Sequence, residues 1–277
     1  MDFKSLKEKC EYYKDLADYR LLPNSYVLLH LDGRAFSKMV KNKFKKPFDK
    51  EFTKMMNETM IYLCEKLQGV VFAYCQSDEI SLVIKDFSSD GLPSSSFFSY
   101  RLCKIHSIAA AAATSKFNQL MMAYRILNVE VKSGCAGDTI EDCRKAIMNS
   151  PLYEFDCKAW NVPSANDAYA WMLYRQHDCL RNSKQQFAQT YLPHNKLAGH
   201  DSDEQVRLTK EETGNDWNTI DDGWKYGRIC LKKVFIFGNP EGGQYERTKW
   251  VAENAQPFDK DFNDGDEYSK IINLITK

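Results

Sequence analysis

"AYCQSDEIS", residues 73–81, joins two apolar runs through a short polar break. Val70, Val71 and Phe72 precede it, and Leu82, Val83 and Ile84 follow it. Runs of this length, rich in β-branched and aromatic residues and parted by a few polar ones, predict the two strands of a hairpin, 70–74 and 80–87. The break carries two adjacent acids, Asp78 and Glu79. Bare charges at the end of a buried strand need a reason, and the reason depends on what the hairpin lies beside.

Upstream, SYVLLHLDGR (25–34) is an apolar strand closed by an Asp-Gly turn. A basic loop ending at Lys46-Pro47 leads to a helix predicted over 50–67. Asp49 is its N-cap, Phe52, Met55, Met56, Met60, Leu63 and Leu67 recur at helical spacing, and Gly69 ends it. A charged helix is expected at 4–20, before Leu22-Pro23. Downstream come a polar loop (91–96) and a long helix (96–121) whose Ala run lets a neighbour pack closely. An irregular stretch (133–144), a strand (153–160), a helix (165–184) and a strand at 228–237 follow. Strand, helix, strand, strand, helix, strand is the split βαβ order of a ferredoxin-like sheet, shared by polymerase and cyclase palms. The expected class is therefore α+β, a palm with added helices. Residues 1–164 form its catalytic region and 165–277 a C-terminal region continuous with it.

The chain has 277 residues, 43% hydrophobic and 27% charged, the composition of a globular protein with a substantial core. It lacks a run of ~18 apolar residues, so no membrane helix is expected. The charged N-terminus MDFKSLKEKCEYYKD has no apolar signal core, so a cytoplasmic location is expected. Nine cysteines without a CxxC pair exclude the usual zinc spacing and argue against a disulfide framework. Net charge is zero, yet charge is segregated. Segments 38–46, 175–184 and 225–233 are basic, while 200–204 and 259–267 are acidic. That pattern favours an anionic ligand over an overall basic surface.

In a ferredoxin-like sheet the first strand lies beside the hairpin, so Asp32 and Asp78 come to one edge. Two carboxylates held together repel unless a cation sits between them. Mg²⁺ takes hard oxygen donors, often one or two carboxylates plus substrate phosphates. Gly33 leaves its carbonyl uncrowded as a further ligand, and two ions can clamp the attacking and leaving oxygens of an in-line displacement. An ordinary Asp-Gly turn and an ordinary hairpin Asp account for the same residues, and chemistry alone leaves the two readings even.

The segments LDGRAFSKM (31–39), FKKPFD (44–49) and AYCQSDEISLVI (73–84), in this order and spacing, resemble the tRNA-His guanylyltransferase superfamily. The likeness continues through Arg101 and Lys104, FDCKAWNVPS (155–164), RQHDCLRNS (175–183), HNKL (194–197), DWN (216–218) and KYG (225–227). It implies a palm with Asp32, the Gly33 carbonyl and Asp78 on two Mg²⁺ ions, with Glu79 supporting them as a catalytic residue. It implies a nucleotide site built from Asp32, Gly33, Arg34, Ala35, Phe36, Ser37, Lys46, Ser77, Asp78, Arg101 and Lys104. Lys46 and Ser77 would contact triphosphate, and Arg101 and Lys104 the phosphates of the activated 5′ end or incoming nucleotide. Phe36 suits stacking on a purine or a place in the core equally well. Arg175, Arg181, Asn182, Lys184 and Lys196 are the expected tRNA contacts, since such side chains carry most backbone affinity. His194 and Asn195 match the same segment.

The family's His-Ile-Asn-Asn segment is replaced by Leu180, Arg181, Asn182 and Ser183. His177 is out of register to substitute for the missing His. This resembles the guanylyltransferase-like branch, which implies template-dependent 3′-to-5′ addition of nucleotides to truncated tRNA 5′ ends, with ATP or GTP as activating substrates. The alternatives are a tRNA-His guanylyltransferase adding one guanosine, a tRNA-binding protein with a vestigial palm and, more remotely, a nucleotide cyclase. Implied partners are tRNA, nucleoside triphosphates and further copies of the chain in a homotetramer, a dimer of dimers.

Overall fold

A computed structural model describes residues 2–87, 96–133, 144–145, 148–238, 243–260 and 265–276. The expected loop at 91–96 and irregular stretch at 133–144 lie mostly outside these residues, as does part of the acidic segment 259–267. Helices α1 (Phe3–Asp15), α2 (Phe36–Lys43), α3 (Lys50–Lys66) and α4 (Leu102–Ser133) alternate with strands β1 (Tyr26–Gly33), β2 (Val70–Gln76), β3 (Glu79–Ile84) and β4 (Phe155–Val162). Then come α5 (Ala165–Tyr191), α6 (His194–Leu197), α7 (Ser202–Thr213), α8 (Asp222–Lys225), β5 (Arg228–Gly238), β6 (Gln244–Asn254) and α9 (Asp266–Thr276).

The sheet order is β4-β1-β3-β2-β5-β6, every neighbour antiparallel. Its first four strands have the ferredoxin-like order that the split βαβ pattern predicts. β5 extends the sheet by pairing with β2 through Ala73, Tyr74 and Cys75. Helices cover both faces, which is why the central strands read as near-continuous apolar runs. Leu29, Leu31, Ala73, Ile80 and Leu82 pack against Met56, Met60 and Leu63 of α3 and Ala109, Ala113 and Phe117 of α4. Leu28, Phe72, Tyr74, Val83 and Ile229 face Ala168, Tyr169 and Met172 of α5 and Ile271 and Ile275 of α9.

α3 starts where its cap predicts: Asp49 accepts from the Glu51 and Phe52 amides at 2.8 and 3.0 Å. Three expectations are corrected. α4 begins at Leu102, six residues late, because residues 98–100 adopt positive φ and residues 100–102 pair back on residues 19–21. α1 ends at Asp15, and Asp18 beyond it is held by Arg20 and Arg101. β6 was not expected; its sequence, QYERTKWVAEN, is polar because most of it is exposed at the sheet's edge.

At the other edge, β4 is sealed by α4. Asn118 accepts from the Tyr153 amide (3.0 Å), Thr114 from Phe155 (3.0 Å) and the His106 Nε2 from Ala159 (2.9 Å). Two outward amides of the edge strand, those of Phe155 and Ala159, are thus satisfied by α4.

The turn after β1 depends on a close approach. A Cβ at Gly33 would lie 2.6 Å from Cγ of Phe36, whose ring is buried among Phe52, Phe117, Tyr153 and Phe155. Gly33→Ala is expected to cost about 1–3 kcal/mol by overpacking a ring that cannot yield. Denaturant unfolding checks this, with partial recovery expected in the Gly33→Ala/Phe36→Leu double variant.

Candidate active site

The β2–β3 loop is two residues long, Ser77 and Asp78, with Ser77 at φ +45° in the left-handed region. A non-glycine residue held there stores strain, a feature that clusters at functional sites. The loop is tied to the end of β1 by a bond from the Gly33 amide to the Asp78 carbonyl (3.1 Å). Across the sheet, Asp32 stands opposite Glu79 on β3 and Asp156 on β4. The topology therefore gathers four carboxylates at one sheet end, as predicted for Asp32 and Asp78 and unforeseen for Asp156.

Their electrostatics differ. Asp78 is pushed up to about 6, first by burial and then by repulsion from Asp32 and Glu79, against a hydrogen bond from the Ser77 hydroxyl (2.8 Å). Asp32 is also raised, by burial and by the Glu79 and Asp156 carboxylates. Among the described residues neither has a cation at ion-pair distance. Glu79 does: it accepts from Gln76 Nε2 (2.7 Å) and pairs with Arg175 of α5. Asp32 and Asp78 thus remain as hard oxygen donors short of positive charge, the condition a divalent ion relieves. No group of three or more His, Cys, Asp or Glu side chains among the described residues forms a closed metal site. The donors present fit Mg²⁺, which completes its shell with backbone carbonyl, water and phosphate oxygens.

Two clefts, about 190 and 240 Å³, share Val40, Pro47, the Ser77–Asp78 turn and Gln186 in their walls. The larger adds Ser37, Lys46, Gln189 and Thr190, so three sequence-predicted residues, Ser37, Lys46 and Ser77, meet beside Asp78. The smaller is walled by Phe48 stacked on Trp224 (5.0 Å), by Asn182 and by the buried Arg228, whose guanidinium donates to Asn57, the Gly223 carbonyl and Cys75. Gln76 also lines it, its Oε1 buried without a partner.

Several expected contacts lie elsewhere. The Phe36 ring is 1% exposed, so it supports the turn from the core and offers no face to a base. Arg34 pairs outward with Glu154 (2.9 Å), and Ala35 takes φ +57° to start α2. Arg101 is paired with Asp18 (2.6 Å) and Lys104 lies over Phe98. Thr114, not Arg101, is level with β4's Phe155, the partner of Gly33. At 1.5 Å per residue, Lys104 is on the order of 15 Å further along α4. Within one chain these two cations do not join the carboxylates.

Arg175 is the main correction among the tRNA contacts. It is 7% exposed, clamped between Glu79 and Asp178, and braces β3 instead of facing solvent. Lys184 pairs with Asp203 and covers the Trp217 ring at 5.2 Å, stapling α5 to α7. Asn182 turns to the smaller cleft. Arg181 and Lys196 are exposed and paired with Asp178 and Glu212, while His177, His194 and Asn195 are exposed. Gln186, Gln189 and Thr190 were missed. Their i, i+3, i+4 spacing places three polar residues on one face of α5, a signal the sequence did carry.

A ferredoxin-like sheet whose end carries Asp32 and Asp78, with a polar cleft where Lys46 and Ser77 meet Asp78, has the layout of a palm. The tRNAHis guanylyltransferase (Thg1) pattern matches residues 7–163, and the chain belongs to this family of nucleotidyltransferases. An uncharacterized protein R259 of Acanthamoeba polyphaga mimivirus is 28% identical over 80% of this chain and 75% of its own. The tRNA(His) guanylyltransferase of Neurospora crassa is 28% identical over 63% of this chain, and the match spans 52% of that enzyme. A bacterial Thg1-like protein solved in complex with ATP superposes with a TM-score of 0.72 at 26% identity, covering 90% of this chain and 91% of the other. A second, in complex with GTP, shares the fold at 23% identity and a TM-score of 0.69 over 98% of this chain and 99% of the other. No helix among the described residues is long and apolar enough to cross a membrane.

Two outcomes are expected of this geometry. Arg175→Leu breaks a buried pair and leaves Glu79 uncompensated, a loss of up to about 3–5 kcal/mol. The Arg175→Leu/Glu79→Leu double variant should recover much of it in a denaturation cycle; lost RNA affinity with unchanged stability would contradict the buried role. Asp78→Asn removes a charge the fold disfavours. In chelated buffer at pH 7.5 its melting point should rise, by about 2–4 °C per kcal/mol relieved. The sign follows from a folded value above the unfolded one. Wild type pays for ionised Asp78 above about pH 6 and regains that stability as pH falls towards the ordinary carboxylate range. The gain in the variant should therefore shrink by pH 4.5.

Proposed function

We propose that the chain is a Mg²⁺-dependent nucleotidyltransferase that adds nucleotides in the 3′-to-5′ direction to the 5′ end of truncated tRNA, directed by a template strand. The observation that carries the reading is the cation-poor Asp78 beside Lys46 and Ser77 in one cleft, with a second cation-poor carboxylate, Asp32, at the adjoining end of β1. Relatives named tRNA(His) guanylyltransferases and Thg1-like structures bearing ATP and GTP support it.

In this reading Asp32, the Gly33 carbonyl and Asp78 would hold two Mg²⁺ ions. Bound there, the metal supplies neutralisation of phosphate charge, the main requirement of phosphoryl transfer. Lys46 and the Ser77 hydroxyl hold the triphosphate, and Ser37, Gln186, Gln189 and Thr190 line its channel. Glu79, paired with Arg175, fixes the turn that carries Asp78. The 3′ oxygen of the incoming nucleotide bonds to the phosphorus of the activated 5′ end, its proton passes to water or phosphate, and the activating group leaves, as the nucleoside monophosphate from a nucleotidylated end or as pyrophosphate from a 5′ triphosphate. A 5′ monophosphate is first adenylylated by ATP, or activated with GTP. Leu180, where the family has His, supports repair of truncated ends over addition of a single guanosine to tRNA-His. We place the enzyme in the cytoplasm and, from its family, in a homotetramer.

The test incubates 5′-truncated tRNA and full-length tRNA-His with each labelled nucleotide. Extension of the truncated RNA that follows the opposing strand supports the reading. Asp32→Ala and Asp78→Ala should lower it by roughly 10³-fold or more, the several kcal/mol a catalytic cation contributes. Guanosine addition to tRNA-His alone would replace the repair assignment, and extension unchanged in both variants would sink the mechanism.

A further inference from the structure

Outside the two clefts, two cations converge on one phenol. Lys43, the last residue of α2, donates Nζ to the Tyr153 hydroxyl at 2.8 Å. Arg125 of α4 donates Nη2 to the same oxygen at 3.1 Å and to the Pro151 carbonyl at 3.2 Å. Both charges also lie over the Tyr153 ring, 5.4 and 5.6 Å from its centre.

Hydrogen-bond capacity makes this arrangement unusual. A phenol oxygen has two lone pairs and one proton. With both lone pairs engaged, the proton is left to donate. Lys43 keeps further N–H donors, and so does Arg125. Among the described residues neither cation has a carboxylate partner. Glu154, beside Tyr153 in sequence, is taken by Arg34 at 2.9 Å. Among the described residues the trio is thus rich in donors, carries two positive charges and has no anionic acceptor. Two cations on one neutral oxygen repel, and an oxyanion removes the repulsion while accepting from all three.

The trio is also built to hold still. Tyr153 is 8% exposed, and its ring packs on Phe36 and Phe117 at 5.7 and 6.0 Å. No free ring face is left to stack on a base, so the trio can grip phosphate but cannot read a nucleobase. Its position is equally telling. Ser37 and Val40 of α2 line the larger cleft, and Lys43 follows within the next helical turn, about 4.5 Å along the axis.

We propose that Lys43, Arg125 and Tyr153 form a phosphate site outside the nucleotide cleft that holds a backbone phosphate of the RNA substrate. The choice of RNA rests on the function proposed above; the donor geometry does not. Such a contact positions the strand without specifying its sequence.

The experiment measures binding of 5′-truncated tRNA by fluorescence anisotropy across a KCl series, in chelator and without nucleotide. GTP binding is measured separately by calorimetry. The Lys43→Gln/Arg125→Gln variant should bind RNA roughly tenfold more weakly at low salt. Its dependence of log affinity on log salt should flatten by about 1, the signature of one lost phosphate contact. GTP affinity should not change. Tyr153→Phe keeps the packed ring and should show a smaller loss in the same direction, which decides the matter if the double variant does not fold. Unchanged RNA affinity and slope in folded variants overturn the proposal. Weakened GTP binding with RNA binding intact assigns the phosphate to free nucleotide and overturns it as well. Because no turnover is read, a chain that fails to extend tRNA can still show this site, and a chain that extends tRNA can still lack it.

Discussion

Like charges kept together without a counter-charge are the constraint around which this molecule is organised. Asp32 comes from strand β1 and Asp78 from the β2–β3 loop; burial raises both, with repulsion from Glu79 and Asp156 added at Asp32 and from Asp32 and Glu79 at Asp78. Left to itself such a pair spreads apart. Here the Gly33 amide bonds the Asp78 carbonyl, and antiparallel register fixes Asp32 against Glu79. Gly33 in turn accepts the Phe36 ring only because it has no Cβ. The aromatic cluster beneath it is therefore part of the site's foundation, and one of its rings, Phe52, also lines the smaller cleft.

Cations in this chain fall into two groups with different work. Arg175, Lys184, Arg101 and Arg228 are spent inside the protein, on carboxylates, carbonyls and a thiol. Arg175 matters most, because it neutralises Glu79 and so limits the charge crowded beside Asp32. Lys46, Lys43 and Arg125 have no carboxylate partner among the described residues, and they lie along one route from the cleft across α2 to the start of β4. A zero net charge conceals this division: what matters to a polyanion is which cations remain uncommitted.

Much of the fold was legible in residues 70–84 and 25–34, because strand periodicity and a short polar break are local signals. So was α3, through Asp49 and its apolar spacing, and so was the meeting of Asp78, Ser77 and Lys46, through motif order. The rest depended on contacts distant in sequence. Arg175 reads as a basic helix residue until Glu79, 96 positions away, is seen to claim it. Lys43 and Tyr153 are 110 positions apart, and neither belongs to a motif. The start of α4 was misplaced because residues 100–102 obey pairing with 19–21, not helix propensity. β6 escaped notice because an exposed edge strand need not be apolar.

The sealing of β4 by Asn118, Thr114 and His106 has a consequence for how this architecture can grow. A sheet lengthens sideways only where backbone donors and acceptors are free. With side chains of α4 holding two of β4's outward amides, the border on the side of β2 is the freer one for growth. That is where β5 and β6 were added. The carboxylate end and its clefts thus sit in a fold with one fixed flank and one extensible flank, and elaboration by new strands is channelled to the flank where it leaves the β1–β4 side of the site undisturbed.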